Sequence, residues 1–132
     1  MKGLDTNVLV RYLVQDDPKQ SAAATRFMET HCSIENPCFI GHIVLCELAW
    51  VLDSNYGQNR TEIAAIIEQL LQVGQLDVME PDVIWRALAD YKNSNADFPD
   101  HLMARVNQSQ GCETTLTFDK KASKQPWFQL LK

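Results

Sequence analysis

The chain has 132 residues, of which 45% are hydrophobic and 22% charged, and its net charge is −5. That length fits one domain over residues 1–132, expected to bury roughly 70% of the surface its unfolded chain exposes. The acidity argues against a protein that coats duplex nucleic acid, but not against a nuclease, whose metal ions reverse the charge where substrate must come.

In chain order, Met1–Leu4 is a short apolar start, and Asn7–Val14 carries apolar residues at helical spacing. Asp17 followed by Pro18 signals a helix that runs to about His31. Cys38–Ile40 is short and β-prone, and Ile43–Tyr56 reads as a helix stopped by Gly57. Asn59 with Glu62 three residues on predicts a capping box, opening a helix to Val73 that Gly74 ends. Leu76–Met79 alternates like a strand, and Pro81 starts a helix to about Lys92. A further helix is expected from Phe98 to Gln110, up to Gly111, then a Thr-rich strand over Cys112–Phe118. Such alternation predicts an α/β fold with parallel strands covered by helices on both faces. Ligands in such sheets bind beyond the carboxyl ends of strands, where Asp5 and Asp119 are expected to fall.

No apolar run approaches the ~18 residues of a membrane span, and no signal peptide is visible, so the expected compartment is the cytoplasm, without a membrane partner. Cys32, Cys38, Cys46 and Cys112 lack zinc or CxxC spacing. Cys32 and Cys38 are near enough to close a loop, but in that compartment all four are expected to be reduced and structural.

Four acids stand against apolar runs without an obvious basic partner. Asp5 ends MKGLD; Glu47 is the only formally charged residue between Phe39 and Leu52; Asp100 lies in FPDHLMA, with Asp97 three residues before; Asp119 closes CETTLTFD. Isolated buried carboxylates are costly, so acids in such settings are expected to be paired, hydrogen-bonded or bound to a metal. Each also has a plain structural role open to it. Asp5 and Asp119 suit turn or helix caps, Asp97 suits an N-cap with Asp100 in the first turn, and Glu47 would otherwise need a solvent face. His31, His42 and His101 sit apart from nucleophile motifs, and His101 is expected at the surface or in a helix turn. Trp50, Trp85 and Trp127 are expected in the core or an interface rather than stacked on bases.

The segments GLDTNVLVRYL, IVLCELAWVL, DFPDHLMA and TLTFDKK together resemble a PIN-domain nuclease, and within that group the VapC-type toxins of bacterial toxin–antitoxin pairs. The resemblance spans nearly the whole chain, with the four motifs in the family's order. It implies a three-layer α/β/α domain with a central, mainly parallel sheet. It also implies that Asp5, Glu47, Asp100 and Asp119 are the catalytic, metal-binding acids. Asp97, Thr6, Asn7 and Thr117 would support them. The implied cofactor is Mg²⁺ or Mn²⁺, hard cations that prefer carboxylate and water oxygens. The implied partners are an RNA substrate, a cognate antitoxin and a second copy of the chain in a homodimer. A metal-dependent phosphatase and a non-catalytic RNA- or protein-binding module are the competing readings. Against the first, Asp5 is followed by Thr6-Asn7-Val8 rather than a DxDxT pattern. Against the second, all four acids are present.

Overall fold

The computed structural model describes residues 1–132 and contains seven helices and four short strands. Helix α1 (Thr6–Val14) starts directly after Asp5. Helix α2 (Pro18–His31) opens as its Asp-Pro signal requires, with Asp17 accepting the Gln20 N–H at 3.0 Å. Strand β1 (Cys38–Ile40) leads into α3 (His42–Ser54). Helix α4 (Arg60–Gln72) carries the expected capping box, in which Asn59 and Glu62 satisfy each other's backbone N–H groups. Strand β2 (Leu76–Val78), α5 (Pro81–Lys92) and α6 (Phe98–Ser109) follow.

The remaining elements are β3 (Thr115–Thr117), α7 (Lys120–Ser123) and β4 (Phe128–Leu130). The expected strand over Cys112–Phe118 is thus shorter at its start. Gly111, at φ +96°, and Cys112 close the end of α6, donating to the Gln108 and Asn107 carbonyls. That is the paired bonding of a Schellman cap, and a residue spent there does not extend the strand.

All strand pairing is parallel, as the alternation of elements predicts. The ladder is divided, however: β1 pairs with β2, placing Cys38 opposite Leu76 and Ile40 opposite Val78, and β3 pairs separately with β4. The Met1–Leu4 segment adds only a bridge at Gly3, where Phe39 donates to the Lys2 carbonyl and Leu4 to that of Phe39.

The main core holds 24 buried residues, including Leu9 of α1, Ile40 of β1, Leu45, Leu48 and Leu52 of α3, and Ile84 of α5. A smaller cluster joins Ala104, Ala122 and Phe128, with Trp127 packed against it. Arg105 ties the two regions together. Its guanidinium lies 4.0 Å over the Trp127 ring and grips Asp90 through Nε and Nη2 at 2.6 and 2.9 Å.

One expectation is corrected here. Cys32 and Cys38 form a disulfide rather than standing reduced: the end of α2 and the start of β1 bring their Cα atoms to 5.3 Å, within bonding reach. Geometry set by the fold overrides an argument from compartment. Among the tryptophans, expected in the core or an interface, Trp127 is partly buried against the smaller cluster, while Trp50 and Trp85 are exposed and so lie outside the core. No helix is long and apolar enough to cross a membrane.

Candidate metal centre

Asp5 is the N-cap of α1, its Oδ1 accepting the Thr6 N–H at 2.7 Å. Thr6 itself is buried, and its hydroxyl donates to Glu47 Oε1 at 3.2 Å across the packing of α1 on α3. One threonine therefore links two of the four acids, through its backbone to Asp5 and its side chain to Glu47. Asn7 is exposed beside them.

Helix α3 turns Leu45, Leu48, Ala49 and Leu52 inward and leaves Ile43, Glu47 and Trp50 outside. The apolar neighbours of Glu47 in sequence thus include two residues, Ile43 at 76% and Trp50 at 68% exposure, that do not bury it. The expectation of uncomfortable burial fails for Asp5, Glu47 and Asp119, which are all exposed. A carboxylate without a cation to replace its hydration is cheapest at the water boundary, and the fold keeps these three there.

Asp100 behaves differently. It lies in the first turn of α6 and is half-buried. Burial, then the charges of Asp119 and Asp97, push its carboxyl above the ordinary carboxylate value, while the backbone at Asp97 and the charge of Lys121 oppose that rise. Asp97 occupies the predicted N-cap position, but its side chain makes no capping bond. It is exposed and sits 4.0 Å from Arg60 Nη1 instead.

Arg60 is a residue that no motif pointed to. Its Nη2 donates to the Tyr91 and Ala96 carbonyls, both at 2.7 Å, and its guanidinium lies 4.0 Å over the Tyr91 ring. It clamps the turn between α5 and α6 and so sets where α6, and Asp100 with it, begins. Its partners lie 31 and 36 positions away, a separation that local sequence patterns do not register.

Asp119 caps α7, its Oδ1 accepting from Lys121 N at 2.8 Å and Ala122 N at 3.2 Å, which leaves Oδ2 open. Its own N–H donates to the Thr117 hydroxyl at 2.9 Å. Thr117 and Thr6 thus steady an acid each. Of the two places expected for His101, surface or helix turn, it takes the second: it lies early in α6 and is fully buried, with the Ser94 hydroxyl against Nε2. Burial lowers its pKa and favours the neutral ring.

The acids therefore form two sets. Asp5 and Glu47 are joined through Thr6, while Asp97, Asp100 and Asp119 share a field; the helices at Asp5, Glu47 and Asp100 are connected, since α1 packs on α3 and α3 on α6. No three acidic, histidine or cysteine side chains converge closely enough to make a finished metal cage. The donor chemistry nevertheless fits a hard divalent cation, because every candidate ligand atom is an oxygen. Burial first, and the neighbouring charges of Asp119 and Asp97 after it, disfavour the Asp100 anion, and a bound cation would offset both.

The chain matches the PIN domain family over residues 3–127. It is also 26% identical over 124 residues to a protein of Aquifex aeolicus (strain VF5) described as a VapC ribonuclease, an alignment covering 94% of this chain and 91% of that one. No solved structure matches the chain.

Proposed function

The chain belongs to the PIN-domain family, and from that premise we propose that it is a metal-dependent endoribonuclease of the VapC type, the toxin of a type II toxin–antitoxin pair. The observation that carries this reading is the coupling of its motif acids: Asp5 to Glu47 through Thr6, and Asp100 to Asp119 through their charges. The relative described as a VapC ribonuclease supports RNA as the substrate.

In this reading Asp5, Glu47, Asp100 and Asp119 hold Mg²⁺ or Mn²⁺, with Asp97, Thr6, Asn7 and Thr117 in support. Bound there, the cation supplies Lewis-acid stabilisation for the charge that develops on phosphoryl oxygens. The chain's own contribution is positional. Thr6 fixes the rotamer of Glu47, the Thr117 hydroxyl and the α7 backbone fix Asp119, and Arg60 fixes the start of the helix that presents Asp100. Crowding of like charges keeps the site primed for a cation, whose charge would let this acidic surface accept phosphate.

A toxin of this kind requires control, and we assign that role to a cognate antitoxin. An Arg or Lys of the antitoxin, set near the four acids, would compete with metal or substrate; the planar fork of Arg suits carboxylates best. The active form is proposed to be a homodimer in the cytoplasm.

The test is incubation of the purified chain with total bacterial RNA, with Mg²⁺ or Mn²⁺ and then with a chelator. Discrete metal-dependent fragments ending in 5′-phosphate support the reading. Release of inorganic phosphate from phosphomonoesters would favour a phosphatase, and RNA or protein binding without any product a non-catalytic module.

A further inference from the structure

The charge of this chain is unevenly placed. Its net charge is −5, yet the last thirteen residues carry four lysines and no acid. Three of those lysines, Lys120, Lys121 and Lys124, lie on or beside α7, and all three are exposed. Helix α7 is the element that Asp119 caps, so this positive strip begins where one of the site acids ends. The backbone N–H of Lys121 donates to Asp119 Oδ1 at 2.8 Å, so the strip is bonded directly to the acid it follows.

Phe118 stands at the same junction. It directly precedes Asp119 and is 76% exposed, the same exposure as Ile43 and above every large hydrophobic side chain of the later elements. Strand alternation puts it on the face of the β3–β4 pair that carries Leu116 and Leu131, both also exposed, while Thr115 and Phe128 are buried on the other. An aromatic ring left open to water beside a metal-binding acid, and followed by lysines, matches the way single strands are held. Rings stack on bases, and basic groups track the phosphates. Stacking matters more than usual here because the rest of the surface is acidic and gives an RNA strand little general attraction.

We propose that Phe118 together with Lys120, Lys121 and Lys124 forms the docking strip for a single-stranded stretch of the RNA substrate, Phe118 stacking on a base beside the cleaved bond and the lysines meeting the phosphates. Phe118 thereby becomes a specificity-determining residue, since the strength of stacking depends on the base. This inference rests on the ribonuclease reading and names where its substrate lies.

The experiment measures binding of the full chain to a fluorescently labelled, unstructured RNA oligonucleotide by anisotropy across a salt series, alongside cleavage of total RNA. Phe118→Ala should weaken binding by roughly 5- to 150-fold, the range for loss of one stacked base, without changing the salt dependence. Phe118→Trp should keep most of the affinity. Joint replacement of Lys120, Lys121 and Lys124 by Gln should flatten the slope of log affinity against log salt by about 2. Gln at Lys19, Arg26 and Lys92 removes the same charge from α2 and α5 and should leave binding nearly as it was.

If the wild-type chain cleaves RNA and both strip variants bind like wild type, the docking strip is wrong and the nuclease stands. If the strip variants lose binding in a chain that cleaves nothing, the strip stands and the nuclease reading falls. A wild-type chain that neither binds nor cleaves RNA overturns both. Should Phe118→Ala change only the sedimentation of the protein, the face belongs to a second copy of the chain and the proposal fails.

Discussion

Thr6 is buried, yet its hydroxyl is committed to Glu47 rather than to the helix it begins. Replacing it by Val keeps its shape and removes the one bond that orients Glu47. Outer-shell partners of metal ligands typically carry 10- to 100-fold in affinity, and a loss of about that size is expected for Thr6→Val. Isothermal titration with Mn²⁺ reads it, and Thr6→Ser should recover most of it; unchanged binding in the Val variant would show that Glu47 is not a ligand. Among the acids, Glu47→Gln and Asp119→Asn are expected to lower kcat/KM for RNA by about 10²- to 10³-fold, as when one charge-stabilising group is lost. Asp97 and Asp100 should separate. Asp100 is half-buried among like charges, whereas Asp97 is exposed and without a capping bond. Asp97→Asn should therefore cost roughly 10-fold at most, on the scale of a supporting group, and Asp100→Asn far more. Equal losses at saturating metal would make both of them ligands. The sequence singled these residues out because each acid sits in a recognisable motif. Their exposure was not. Apolar neighbours along a chain do not say which way a helix turns, and α3 leaves Ile43 and Trp50 in water beside Glu47. For His101 a helix turn was legible but its depth was not, since burial favours the neutral ring and lets it go inside.

Caps and breakers carried most of the element-scale reading. The Asp17-Pro18 start, the Asn59–Glu62 box and the turn at Gly111 are local signals, complete within four or five residues, and each appears in the fold. Strands β3 and β4 are three residues each, too short for a period of two to declare itself, and β4 was not foreseen at all. The contacts between elements were equally hidden, because their partners are far apart in sequence. One of them makes a pH-dependent prediction. Asp16 accepts from the Tyr56 hydroxyl at 2.8 Å and from Arg11 at 3.0 Å, tying the α1–α2 turn to the end of α3. The Tyr56 bond, aided by Arg11, holds the Asp16 carboxyl below its ordinary value. A folded pKa below the unfolded one gives stability that is present above the unfolded value of about 3.9 and is lost as pH falls through the folded value. Tyr56→Phe should thus be less stable than wild type in urea at pH 6, and the gap should narrow below about pH 4. A gap that persists in acid would mean that Tyr56 acts through packing alone. The disulfide gives a second test. Closing the short loop between Cys32 and Cys38 is expected to stabilise by about 2 kcal/mol in the chain-entropy view. Reductant should then lower the melting temperature of wild type but not that of a Cys32→Ala/Cys38→Ala variant. An equal response of the two would show that the bridge does not contribute in solution.

For the molecule as a whole, a family match over residues 3–127 and an acidic surface pull in opposite directions, since substrates of a nuclease are polyanions. The conflict is resolved if much of the acidity is the site itself, held apart at the water boundary until a cation arrives. Asp100 shows the strain of that state: its anion is disfavoured by burial and by Asp119 and Asp97. Two consequences follow in opposite directions. A cation that binds only the folded chain adds stability by mass action, about 2.7 kcal/mol at a hundred times its dissociation constant. In a domain of this size such a gain corresponds to a rise in melting temperature of roughly 10 °C. Removing one repelling charge should act without any metal, so Asp100→Asn is expected to melt above wild type in chelator, by a few degrees. The same substitution takes away a ligand, and adding Mg²⁺ or Mn²⁺ should then raise its melting temperature much less than that of wild type. Differential scanning fluorimetry of the two proteins, each with chelator and with millimolar metal, reads all four states. The crossing of the two effects is the diagnostic result, because a purely structural role for Asp100 would lower stability in both conditions. If metal leaves the wild-type transition where chelator puts it, these acids do not form a divalent-cation site.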